Sequence, residues 1–161
     1  MKENEFAISN LALADLIETL ISRKKSLRFT AKGFSMFPLI CNNDVVTLSP
    51  ISDSCIGLGQ VVAFLCLKNQ SLAIHRIIGR KTNGYIIKGD NTFATDGVIP
   101  RKNILAYVSM VERKGKRITL GLGKERQLIV FLSRAKVLPS LSRICRLMPR
   151  PIKKFLNEKL F

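Results

Sequence analysis

Apolar residues in this chain recur with different spacings in different stretches, and each spacing predicts a different kind of element. Near the amino terminus Leu11, Leu13, Ala14, Leu16, Ile17, Leu20 and Ile21 fall three or four apart behind Ser9-Asn10, which predicts a capped amphipathic helix ending near Arg23-Lys24-Lys25. From Leu27 the pattern shortens to β-type segments punctuated by Gly, Asn and Asp, at 27–31, 45–49, 60–67, 73–80, 85–88, 104–113 and 117–122. They predict a mainly β fold, a small antiparallel and barrel-like domain. Lys81-Thr82-Asn83-Gly84 supplies a hairpin turn between two of the segments, and Asn43 can take the left-handed backbone in Asn42-Asn43-Asp44.

After Gly123 the helical spacing returns with a basic face. Leu141, Ile144, Cys145 and Met148 share one side while Arg143, Arg146 and Arg150 follow another; beyond Pro149 and Pro151, Ile152, Phe155 and Leu156 repeat the pattern beside Lys153 and Lys154. Two basic amphipathic helices are expected here. The chain therefore divides into a helix at 1–26, a β domain at 27–123 and a basic helical tail at 124–161.

No stretch reads as a signal peptide or a membrane span. Lys2, Glu3 and Glu5 precede the first apolar residues, Asp15 and Glu18 interrupt them, and Arg134 and Lys136 follow closely on the 128–132 run. A peripheral-membrane or cytoplasmic location is the expectation. Charge narrows the partners: 27 Lys and Arg against 11 Asp and Glu give a net charge of +16, which calls for an anionic surface. Aromatic residues for base stacking are scarce in the tail, which argues against nucleic acid; an amphipathic basic tail fits an anionic membrane surface, reached through 124–161. Cys41, Cys55, Cys66 and Cys145 show neither C-x-x-C spacing nor a histidine cluster, so they read as free structural thiols, with no metal and no cofactor.

Candidate chemistry lies in the β region. Gly33-Phe34-Ser35-Met36-Phe37-Pro38 puts one hydroxyl in a Gly/Pro turn beside apolar side chains. The single histidine, His75, sits in Ala73-Ile74-His75-Arg76-Ile77-Ile78, and Lys88-Gly89-Asp90-Asn91 is followed by Asp96. Taken singly, each reads as an ordinary turn or packing residue. Together they supply a nucleophile, a base and a carboxylate on three segments.

This series, Gly-x-Ser-Met-x-Pro, then apolar-His-Arg-apolar, then Lys-Gly-Asp-Asn with a second Asp six positions on, resembles signal peptidase I over roughly residues 27–122, and more narrowly its archaeal and endoplasmic-reticulum type. The resemblance implies a serine endopeptidase acting on a leader or signal-like peptide. It implies Ser35 as nucleophile, His75 as general base, Asp96 as the carboxylate that orients the imidazole, and Asp90 as support for the turn. The chain departs from the family in lacking the usual anchoring helix. Gly33 stands where bacterial relatives carry a hydroxyl for the oxyanion, which leaves the Ser35 N–H as the readable donor. Two other classes stay open: an inactive relative that binds an extended peptide as an added strand, and a basic nucleic-acid-associated protein.

Overall fold

The computed structural model describes residues 10–51, 56–66 and 71–147. The helix expected at 152–156 and the thiol of Cys55 lie outside them. Eight strands make one antiparallel sheet: β1 (Leu27–Thr30), β2 (Val45–Pro50), β3 (Val61–Leu65), β4 (Leu72–Lys81), β5 (Gly84–Lys88), β6 (Gly97–Ile99), β7 (Ile104–Arg113) and β8 (Lys116–Ile118). Their order is β1-β2-β7-β3-β4-β5-β6, with β8 paired to β7. The antiparallel β expectation is met, but the barrel-like closure is corrected. The end strands β1 and β6 do not pair with each other, so the sheet stays open. Register shifts between Thr47 and Leu48, Ala63 and Phe64, and Ile77 and Gly79 interrupt the ladders, and such bulges bend the strands that carry them.

The run Val61-Val62-Ala63-Phe64 in β3 is buried at every position. Alternate side chains leave a strand on opposite faces, so Val61 and Ala63 join Val46, Leu48, Val108 and Val111, while Val62 and Phe64 join Ile77, Ile87 and Ile99. A continuous apolar run marks a strand covered on both faces, and β3 is one. The helix α1 (Asn10–Ser22) packs on the first cluster through the fully buried Ile17, with Ile21 beside it. Its end is closed by Lys24 in the left-handed conformation, whose N–H donates to the Ile21 carbonyl.

Two elements were not visible in the spacing. β6 is a three-residue Gly-Val-Ile strand, too short to show a period. It approaches β5 so closely that a Cβ on Gly84 would lie 2.4 Å from the Ile99 carbonyl oxygen, which is why glycine opens β5. The turn between β4 and β5 falls within Lys81-Thr82-Asn83-Gly84 as expected, with Lys81 paired to Gly84 and Thr82-Asn83 at its tip. The second missed element is α2 (Arg126–Arg134), followed by α3 (Val137–Leu147). Arg134, which with Lys136 seemed to break an apolar run, instead fastens the helix together with Arg126: Arg126 donates to Gln60 Oε1 at 2.9 Å and Arg134 to the Ile78 carbonyl at 2.7 Å. Ile129 and Val130 are buried beneath it, with Leu39 and Leu138 packed against Ile129. Among the described residues no helix is long and apolar enough to cross a membrane.

Candidate active site

The turn holding Ser35 is fixed from both sides. Met36 and Ile40 are buried in the main apolar cluster, which pins the chain just after a half-buried Ser35 and an exposed Phe34. From above, Asn91 closes on the same turn: its backbone N–H donates to the Ser35 carbonyl at 2.7 Å and its side-chain amide to the Phe34 carbonyl at 2.9 Å. At the far end Arg113 donates to the Pro38 and Leu39 carbonyls and pairs with the buried Asp44, whose other contact is the Cys41 N–H at 2.7 Å. Asn43 takes the left-handed backbone there, as read from the sequence.

His75 and Arg76 are neighbours on β4, and strand alternation turns them to opposite sides. The His75 ring lies against Phe64, and its Nδ1 is 2.8 Å from Asp96 Oδ2. That contact directs Nε2 toward the Lys88–Asn91 turn. A Cβ built on Gly89 would sit 3.1 Å from His75 Nε2 and 2.7 Å from the Ser35 carbonyl oxygen, so this glycine occupies the gap between the two segments. Ser35 and His75 line one cavity of about 410 Å³. Ser35 Oγ makes no hydrogen bond to His75 or to another described residue, and its N–H donates to no described carbonyl.

Arg76 receives the other aspartate. Its guanidinium and Asp90 form a bidentate pair at 2.8 and 2.9 Å, both side chains essentially without solvent exposure. Arg76 Nη1 donates to the Gly59 and Gly121 carbonyls, each at 2.7 Å. The expectation that Asp90 serves the turn by accepting backbone N–H groups is therefore modified: its carboxylate is held by Arg76 beneath the loop. Sequence reading quoted Arg76 without giving it a role. The available signal was an arginine inside an apolar run, a charge that cannot be buried without a carboxylate.

Lys88, also passed over, is 2% exposed, and its Nζ lies 3.0 Å from the buried Ser133 Oγ on α2. Burial lowers its pKa, an effect that Asp90 and Asp96 nearby oppose. Helix α2 thus touches the turn that carries Gly89 and Asp90. The Cys41 thiol, which also lines the cavity, has its pKa raised chiefly by burial.

No model of a known protein family matches this chain, and no curated protein matches it. What the site can do must be read from its geometry. A histidine held through Nδ1 by a carboxylate presents Nε2 as a proton acceptor, and it does so beside a serine whose backbone is fixed and whose hydroxyl has no described partner. The cavity extends away from these groups between two strand edges. Among the described residues β1 pairs only with β2, and residues 72–75 of β4 pair only with β3, because β5 joins from Arg76 onward. Phe29, Ala31, Met36, Ile40, Leu72 and Ile74 give it an apolar lining.

Proposed function

We propose that the protein is a serine endopeptidase in which Ser35 attacks the scissile carbonyl and His75 takes its proton. The observation that carries this reading is the 2.8 Å contact between His75 Nδ1 and Asp96, with Nε2 turned toward the Ser35 segment across Gly89. Asp96 holds the imidazole in the tautomer whose Nε2 is a base and steadies the imidazolium after proton transfer. The proton then passes to the leaving amine, and water repeats the cycle to release the acyl group. The Ser35 N–H is the donor available to the oxyanion.

The substrate is an extended peptide segment. Two strand edges facing one cavity offer main-chain partners on both sides of a single added strand, and the apolar lining supplies side-chain pockets between them. A leader or signal-like segment matches that description. A relative that binds such a peptide without cleaving it would use the same edges, so the chemistry itself is the test. Incubation with a fluorophosphonate probe is expected to label Ser35, identified by peptide mapping, and His75→Ala should prevent labelling. An unlabelled Ser35 in the folded protein would leave the binding reading in its place.

The gap at Gly89 gives a second test. Gly89→Ala must push against the Ser35 carbonyl, Thr92 and His75 at once, two of them at under 3.0 Å. Overpacking of this kind costs about 1–3 kcal/mol. Peptide hydrolysis is expected to fall by more than the loss of folded protein explains, because the strain separates base from nucleophile. Turnover and melting temperature measured together check it; wild-type turnover would show that the loop moves without disturbing the pair.

A further inference from the structure

The net charge of +16 is concentrated at the surface by the way the fold uses its carboxylates. Of those on described side chains, Asp44 is taken by Arg113, Asp90 by Arg76, Asp96 by His75 and Glu112 by Arg28, while Glu125 accepts the Gly121 and Gly123 N–H groups. Asp15 and Glu18 remain, both on α1. Residues 126–147 contain five arginines and lysines and no acid. The cations of α2 and α3 are therefore not neutralised by neighbouring carboxylates on those helices.

Beside that charge lies exposed apolar surface. Ile129, Val130 and Ser133 make the inner face of α2, and Leu128 and Phe131, one turn apart, are 61% and 67% exposed on its outer face. Leu141 of α3 is 49% exposed. From α3 the Arg143 guanidinium stacks 4.4 Å from the ring of the exposed Phe93, three residues before Asp96. Phe34, next to Ser35, is 60% exposed, and its carbonyl accepts the Asn91 amide. Large apolar side chains thus stand exposed on the outer face of α2, with the exposed cations Lys124 and Lys136 just before and just after the helix.

We propose that this face docks on an anionic lipid bilayer, with Leu128 and Phe131 entering the interfacial region and the flanking cations meeting lipid phosphates. Apolar side chains alone would suit any hydrophobic partner; apolar side chains ringed by unneutralised cations complement a surface that is greasy beneath and anionic above. Nucleic acid would leave Leu128 and Phe131 without a function. Docking would bring the cleft near peptide segments emerging from the bilayer. That last step rests on the peptidase reading, whereas lipid contact does not.

The test uses the full chain and sedimentation with vesicles of phosphatidylglycerol and phosphatidylcholine, against phosphatidylcholine alone. Binding to the anionic vesicles that weakens as salt is raised is expected. Leu128→Ser with Phe131→Ser should weaken it about tenfold or more, since two interfacial apolar side chains are lost. The chain has no tryptophan, so Phe131→Trp provides a single reporter whose emission should shift to the blue on adding anionic vesicles. Binding unaffected by the double substitution, a tryptophan that stays in water, or salt-sensitive DNA retention without vesicle binding would each overturn the proposal. Ser35→Ala should bind vesicles like wild type; loss of hydrolysis there with binding intact separates the two readings.

Discussion

Ser35→Ala is expected to abolish peptide hydrolysis and leave the melting temperature almost unchanged. The hydroxyl is half-buried and makes no hydrogen bond to a described residue, so its removal empties no packed volume and strands no partner. His75→Ala should be equally inactive at some cost in stability, because it uncovers Phe64 and deprives Asp96 of its contact. Asp96→Asn keeps the shape but cannot hold the same tautomer. Turnover about 10⁴-fold lower is expected, the size of effect seen when a serine peptidase loses this carboxylate. Turnover assays on variants checked for folding by circular dichroism decide it, and an Asp96→Asn protein with near-normal turnover would remove that residue from the mechanism.

Asp90→Asn is expected to fail in a different way. The substitution leaves the Arg76 guanidinium buried with two carbonyl contacts and no opposite charge, and removing one member of such a pair costs about 3–5 kcal/mol. For a chain of this size that corresponds to a melting temperature lower by roughly 10 °C or more. Activity should return in proportion as the folded fraction is restored at low temperature. A variant that melts like wild type yet is inactive would instead put Asp90 among the groups that act on the substrate.

The two aspartates show which parts of the site were legible in the sequence. His75 and Asp96 stand on separate segments 2.8 Å apart, and it was the resemblance, not the local sequence, that put them together. The partner of Asp90 was legible in principle. Adjacent residues on a strand face opposite ways, so a His-Arg pair in an apolar strand sends two positive or protonatable groups to two sides, and each asks for its own carboxylate. Most strand positions followed from alternation and turn residues, because those signals are local. Closure of the sheet and the three-residue β6 depend on which strands approach, a property of distant residues such as Ile99 against Gly84. α2 was missed because Arg134 and Lys136 were read as interruptions, although the contacts of Arg126 to Gln60 and of Arg134 to Ile78 exist only once the helix lies on the sheet.

The unpaired edges of β1 and of residues 72–75 carry a liability as well as an opportunity. Free N–H and C=O groups in an extended row pair with any strand that reaches them, including the same strand of another copy, and this is how sheets grow into aggregates. The chain carries two safeguards at that place. Lys32 is exposed just after β1, and a charged side chain at an edge makes a second copy approach against like charge. The bulge in β4 and the late entry of β5 keep the second open edge to four residues, shorter than a self-propagating strand favours. Colloidal stability at high concentration is thus tied to ionic strength: salt that screens Lys32 lowers the barrier between copies at the edge where a guest strand would lie.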